Sequence, residues 1–421
     1  MKQKWLNTTD VFDEYERRFA RVRAEKEPTR PWEPQQRQAI LEATKRMLRY
    51  DEALVPTIHD MQEISRQAYD GYDAIQLRYQ TWEGMYGAST LYLPRKEGKL
   101  PLVFVCCGHG DEGRLTSSYM GMGHRLASLG MAALVMDNIG QGDRNADPQK
   151  GKHADHWMAV APFRCGLTLQ GLIVMETIAM IRHMQKDTRF DPDHLAACGN
   201  SGGGTLTMFL AALAPELSAI ASCGYPSETV YVLQKERRHC ACNLLIGQAH
   251  EAEMWEVYSL FAPKPLLLEG GNLDNLIPVD LAHRNARKVR NTYVQLDKEE
   301  NFTFKLTKTT HSWDVEDVNL VSGFLSRQQL GEEAAEQITK IFTVEDLEPL
   351  RVPIPAESLS TAQLSEKLTG KAACEGEELA DVFPPTYQGK TIDPESLQLD
   401  VGRGDVMRVF AQFECTLSQP E

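Results

Sequence analysis

Cys198-Gly199-Asn200-Ser201-Gly202-Gly203-Gly204 is the stretch on which the fold turns. It fits G-x-S-x-G with Ser201 at its centre. Leu195 to Cys198 before it is a short apolar run that reads as a buried strand. Thr205 to Ala214 after it is apolar and reads as a helix packed under a sheet. A serine at a sharp strand-to-helix turn has its hydroxyl pushed out above the sheet edge. Small flanking residues are needed because the turn is strained and the helix passes close to the strand. The backbone N–H of Gly202 then sits at a helix N-terminus, where negative charge is favoured. The motif therefore reads as a nucleophile elbow. The competing reading is a glycine-rich turn that merely contains a serine.

The flanking chain supplies an α/β rhythm. Leu102 to Cys107 is a continuous apolar strand of the kind buried on both faces of a parallel sheet. Gly121 to Gly130 reads as a helix and Ala132 to Met136 as a strand. A polar loop runs from Gly140 to Pro162, and Leu167 to Met184 is a long apolar helix. Beyond the elbow come strand Ala219–Cys223, an insertion over 225–262, strand Pro265–Glu269, helix Val279–Val289, strand Phe302–Leu306 and helix Val318–Leu330. The expected fold class is α/β, a mostly parallel central sheet flanked by helices. Upstream, Ile64 to Tyr69, Ala74 to Thr81 and Ser89 to Leu93 alternate polar with apolar between glycines and read as an antiparallel meander at a sheet edge. Residues 10–26 and 34–50 carry helical spacing, with Pro28 and Pro31 between them and Pro34 placed to open the second. They offer a packing extension or a contact for a homo-oligomer.

In such sheets function sits at the carboxyl ends of strands, and a serine nucleophile needs a base that a third group holds in place. The partners are expected in the order Ser, acid, His. Strand Pro265–Glu269 is followed by Gly270-Gly271-Asn272-Leu273-Asp274, which offers Asp274 as the acid. Strand Phe302–Leu306 is followed by Thr309-Thr310-His311-Ser312-Trp313, and His311 is the only histidine beyond that strand. Glu228, after strand Ala219–Cys223, is the fallback acid. His283 lies within a helical stretch and reads as a surface or packing residue.

An oxyanion needs two N–H donors, one from the residue after the nucleophile and one from the loop after an earlier strand. Gly202 is the first. Gly108-His109-Gly110-Asp111-Glu112-Gly113 supplies the second, placed at His109 or Gly110. Asp137-Asn138-Ile139-Gly140-Gln141-Gly142 holds a lone G-x-G that lacks a third glycine and a following helix. It reads as a loop bordering the catalytic face rather than a dinucleotide site. His153, His156, Trp157 and Arg164 are candidates to line a substrate pocket, with Glu228 beside them. His239-Cys240-Ala241-Cys242 hints at a metal, but no second pair stands at ligand spacing, so a packed insertion is favoured.

Composition bounds the rest. The 421 residues suit one large α/β domain with additions, or two to three smaller domains. No apolar run approaches the ~18 residues of a membrane span. Met1 to Arg30 is charged throughout, which predicts no secretory signal and a cytoplasmic protein. The nine cysteines are scattered and include the adjacent Cys106 and Cys107, as expected of reduced, buried thiols. A net charge of −14 argues against nucleic acid as a partner. The acidity is uneven, because residues 331–421 hold 18 Asp and Glu against 7 Lys and Arg. That shift divides the chain into an N-terminal helical extension (1–60), a catalytic domain (61–330) and an acidic C-terminal segment (331–421). Within the last, Ser360 is placed to cap a helix over Thr361–Thr369, and Asp405–Gln412 reads as a strand.

These stretches together resemble a bacterial α/β-hydrolase family related to acetylxylan esterases. The resemblance is carried by VFVCCGHGDEG, VMDNIGQGDR, RCGLTLQGL, CGNSGGGTLTMFLAAL, HCACNLLIGQ, APKPLLLEGGNLDNLIP and THSW, from about Leu102 to Trp313. It implies a serine carboxylic-ester hydrolase with Ser201 as nucleophile, Asp274 as acid and His311 as base, and no cofactor. Secreted members of that family act on acetylated plant polysaccharide. The charged N-terminus instead suggests a small or oligosaccharide ester as substrate. A serine peptidase or acyltransferase on the same fold is the alternative, since the same three residues serve any acyl substrate. A non-catalytic protein on this fold is the third reading.

Overall fold

A computed structural model describes residues 32–145, 165–233, 251–334 and 336–371, positions 158, 161, 162, 243 and 245, and the pairs 386–387 and 390–391. The helical reading of 10–26 and the strand reading of 405–412 lie outside these residues. So do His153, His156, Trp157, Arg164 and the His239–Cys242 stretch.

The sheet is built in chain order from β1 (His59–Ala68), β2 (Tyr72–Gln80), β3 (Tyr86–Pro94), β4 (Leu100–Cys106), β5 (Ala132–Met136), β6 (Phe190–Asn200), β7 (Ala219–Cys223), β8 (Leu266–Gly271) and β9 (Phe302–Thr307). The described residues join them in the order β1-β2-β3-β5-β4-β6-β7-β8-β9. β1, β2 and β3 pair antiparallel, as their alternating patterns predict, and β3 meets β5 antiparallel. From β5 to β9 every neighbouring pair is parallel. This is the mostly parallel sheet expected from the strand–helix rhythm. β1 begins at His59, inside the stretch assigned to the N-terminal extension.

Period-two alternation splits the apolar residues between two cores. Leu102, Phe104, Leu134, Leu195 and Ala197 face one side. There they meet helices α1 (Pro34–Leu48), α3 (Leu169–Met184) and α4 (Gly202–Leu213). Val103, Val105, Ala133, Val135 and Cys198 face the other. They meet α2 (Ser117–Ser128) and α8 (Val315–Leu330). Two short helices, α5 (Thr229–Leu233) and α6 (Met254–Ser259), lie in the 225–262 insertion, and α7 (Val279–Gln295) follows β8. α2, α7 and α8 run longer than their apolar patterns suggested. Capping explains α8: the Asp314 carboxylate and the Asp317 side chain form a reciprocal capping box that starts the helix at Val315, ahead of Val318.

α1 starts with Pro34 at its first helical position, as its sequence predicts. It is an integral layer rather than an appendage. The Thr168 hydroxyl donates to the Leu48 carbonyl at 2.6 Å, and Met47 and Leu48 are buried.

The described part of the acidic C-terminal segment also packs on the sheet domain. Leu350 joins one core, and Leu364, from α9 (Thr361–Thr369), joins the other. Ser360 caps α9 through a capping box with Gln363. Arg114, wholly buried, pairs with Asp137 and with Asp143 at 2.7 Å and donates to the Leu350 carbonyl at 2.7 Å. Arg351 pairs with Asp143 at 3.1 Å and with Glu112. The acidic stretch is thereby clamped to the loops after β4 and β5.

Candidate active site

β6 runs through Asn200 and α4 begins at Gly202, so the whole chain reversal is left to Ser201. Its backbone sits at φ 58°, ψ −117°, a region that a residue with a side chain enters only under strain. The Ser201 N–H donates to the Cys223 carbonyl at 3.0 Å and ties the elbow to β7. The glycines are forced by contact. A Cβ on Gly203 would overlap the Cys106 carbonyl, and one on Gly204 would stand 2.7 Å from the Tyr225 Cβ. α4 can cross β4 and β7 this closely only without side chains there.

Asp274 and His311 come from loops that are joined at their stems. The Asn272 N–H donates to the Thr307 carbonyl at 2.9 Å, and the Leu273 N–H to the Thr309 carbonyl at 3.0 Å. The acid loop then turns on Asp274 itself, whose Oδ1 accepts the N–H groups of Leu276 at 2.7 Å and Ile277 at 2.9 Å. That orients Oδ2 toward His311 Nδ1, 2.7 Å away. His311 Nε2 stands 2.8 Å from Ser201 Oγ. The Asp274 side chain is sealed from solvent, while that of His311 keeps 14% exposure toward the site. A buried carboxylate behind the ring fixes its orientation and stabilises positive charge on it. The Nε2 lone pair is then aimed at the serine hydroxyl.

The loop after β4 lies against the elbow. A Cβ on Gly108 would come within 2.6 Å of the Asn200 carbonyl oxygen and 3.3 Å of the Gly202 nitrogen. The His109 ring covers Gly202, with Cε1 2.6 Å from where a Cβ there would be. Loss of solvation pushes the His109 ring down to about 4, and repulsion from His311 adds to it, so the ring is neutral at pH 7. Two amides anchor this loop from below. Asn138 Nδ2 donates to the Cys107 carbonyl at 3.0 Å, and Gln141 Nε2 donates to the carbonyls of Gly108 and, at 2.7 Å, Gly110. With these carbonyls held on the Gln141 side, the loop is rigid where it meets the site. Asn138 and Gln141 carry this task within the stretch read only as bordering the catalytic face.

Glu228 requires a correction. It is buried, but its Oε1 accepts from Arg284 Nε at 2.9 Å, while the Nδ1 of His311 is taken by Asp274. Glu228 is therefore an ion-pair partner of Arg284 and not the acid that His311 uses. His283 packs its ring edge-on to Phe304 at 5.1 Å, as its place in a helix suggested. Among the described residues no group of three or more His, Cys, Asp or Glu is arranged to hold a metal. No described helix is long and apolar enough to cross a membrane.

The acetyl xylan esterase (AXE1) family model matches residues 55–233. No curated protein matches the chain. Among solved structures, the methylesterase BT1017 superposes with a TM-score of 0.53 at 20% identity, over 69% of this chain and 62% of its own length. The chain thus spans less than two thirds of that relative. BF1801 of Bacteroides fragilis, described as an acetyl xylan esterase, gives a TM-score of 0.56 at 16% identity over 70% of this chain and 82% of that one. A glucuronoyl esterase from Solibacter usitatus gives 0.55 at 12% identity over 69% and 92%. At these identities the superpositions speak for the fold. The chain has the α/β-hydrolase fold, and its residues 55–233 match the acetyl xylan esterase family model.

Proposed function

We propose that this protein is a serine carboxylic-ester hydrolase that deacetylates a small or oligosaccharide ester. The observation that carries the reading is the unbroken chain Asp274 Oδ2, His311 Nδ1, His311 Nε2, Ser201 Oγ at 2.7 and 2.8 Å, set on a strained elbow. Ser201 Oγ attacks the acyl carbon while His311 takes its proton. The tetrahedral oxyanion is held by the Gly202 N–H at the start of α4 and by the 109–110 backbone. His311 then returns the proton to the leaving alcohol. Water, activated by the same imidazole, releases the acid and restores the serine. Asp274 stabilises the imidazolium formed in each half.

The match to acetyl xylan esterases and the fold shared with glucuronoyl and methyl esterases support a carbohydrate ester as substrate. The same proposal places the protein in a reducing, cytoplasmic compartment. Its support is that Cys106, Cys107, Cys165, Cys198 and Cys223 are all free and buried. Cell fractionation tests that location.

The enzymatic test compares wild type and Ser201→Ala on an aryl acetate, acetylated xylo-oligosaccharides and peptide nitroanilides. Wild-type turnover of the acetates, lost in the variant, is the expected result. Faster cleavage of the nitroanilide would favour a peptidase. Failure of a fluorophosphonate probe to label Ser201 would remove the catalytic reading altogether.

A further inference from the structure

Behind the acid and base loops lies a row of four buried side chains that ester hydrolysis does not itself require. Thr307 Oγ1 stands 2.9 Å from Glu269 Oε1 and 2.8 Å from Thr309 Oγ1, and Thr309 Oγ1 stands 3.1 Å from Asp317 Oδ1. All four residues are buried, with at most 6% exposure. The row therefore contains three oxygen–oxygen contacts, each of which needs one hydrogen. The two threonine hydroxyls supply two. If both carboxyls were ionised, one contact would place two lone pairs against each other with no hydrogen between them. The third hydrogen has to come from a carboxyl.

We propose that Glu269 and Asp317 hold one proton between them, and that this proton, relayed through Thr307 and Thr309, fixes the stem from which His311 reaches Ser201. The accounting closes in either direction. With the proton on Glu269, the carboxyl donates to Thr307, Thr307 to Thr309, and Thr309 to the Asp317 carboxylate. With the proton on Asp317 every arrow reverses. The first arrangement is favoured, because Asp317 Oδ2 already accepts the Asp314 N–H at 2.8 Å and a backbone donor stabilises the ionised form. Thr309 stands two positions before His311, and the carbonyls of Thr307 and Thr309 are the ones that anchor the acid loop. Glu269 and Asp317 are thus positioning residues that act through the two loops.

Among the described residues, the leading charges acting on the pair are acidic. The Cys223 thiol faces Glu269 from β7, Asp274 lies in the acid loop, and Asp314 caps α8. Lys305, level with Glu269 on β9, is solvent-exposed, as is Lys308. Burial first, and then the charge of Asp317, pushes the Glu269 carboxyl up to about 8. Burial raises Asp317 as well. The pair shares its titration, so the upper step belongs to both.

Infrared spectroscopy of the full-length protein tests this without any substrate. Wild type at pH 7 is expected to show one buried protonated-carboxyl C=O band, lost as the pH rises past about 8. Glu269→Gln and Asp317→Asn should each lack it, since an amide supplies the third hydrogen permanently and leaves the remaining carboxyl ionised. Stability gives a second arm. A carboxyl held protonated in the folded chain makes stability fall as pH climbs from about 4.5 to about 8, and level off above. Urea midpoints of wild type should follow that slope, and those of Glu269→Gln should lose it. The third arm rests on the proposed esterase reading. In Glu269→Gln the alkaline fall of kcat/KM should move upward by about one pH unit or more. Absence of the wild-type band at pH 7, or its survival in both variants, overturns the proposal. Absence of esterase activity with the band present would instead overturn the functional reading and leave the shared proton standing.

Discussion

His311 Nε2 lies 2.8 Å from Ser201 Oγ, although 110 residues separate the two along the chain. The contact exists because β6 and β9 end on the same side of the sheet, with β7 and β8 between them. Asp274 behind the ring makes it directional, with the proton held on Nδ1 and the lone pair presented to the serine.

Asp274→Asn keeps the shape of this arrangement and reverses its polarity. An amide that donates to Nδ1 stabilises the wrong tautomer and supplies no negative charge for the imidazolium. The expected result is a fall in kcat of roughly four orders of magnitude on an aryl acetate, with an unchanged melting temperature. Steady-state kinetics alongside thermal unfolding check it.

Gly203→Ala tests the elbow by overpacking. The new methyl would overlap the backbone carbonyl of Cys106, which cannot rotate away as a side chain does. We expect a loss of about 3 kcal/mol in urea unfolding, because α4 must lift from β4. Activity should fall with it, as Ser201 moves relative to His311.

The C-terminal clamp separates a buried charge from a partly exposed one. Arg114→Leu leaves Asp137 and Asp143 without their guanidinium inside the protein and should cost about 3–5 kcal/mol. Arg351→Ala removes pairs whose arginine is 31% exposed and should cost only about 1 kcal/mol. Parallel denaturant titrations check the ratio. Equal losses would show that the clamp works through packing of Leu350 rather than through charge.

Thiol labelling of native protein should spare Cys106, Cys107, Cys198 and Cys223. Burial pushes the Cys106 thiol up to about 12 and the other three well above the usual thiol range, so none forms thiolate at pH 8. Peptide mapping after alkylation, with and without denaturant, should show these four reacting only when unfolded.

Much of the site was legible because its chemistry obeys chain order. G-x-S-x-G marked the elbow, and the loops after the next strands offered one well-placed acid and the last histidine. The strand patterns were readable for a similar reason. Continuous apolar runs such as Ala132–Met136 belong to strands buried on both faces, and alternating ones to the antiparallel edge. Element ends were less legible. β6 extends back to Phe190 through Asp191 and Asp193, polar residues that the sheet ladder accommodates but periodicity does not signal.

Other features depend on residues far apart in sequence. Glu228 stands as the fallback acid until Asp274 is seen on His311 Nδ1 and Arg284 on the Glu228 carboxylate. Nothing local in Asn138 or Gln141 says that they hold the loop beside Ser201. The proton shared by Glu269 and Asp317 depends on four side chains drawn from two strands, a loop and a helix. The sequence by itself determined which residues carry the chemistry and in what order, because period, turn residues and strand ends are local properties of the chain. Only the tertiary structure decided which carboxylate faces the histidine and which serves an ion pair or keeps its proton. That choice depends on burial and on the nearest charge, which come from parts of the chain that folding alone brings together.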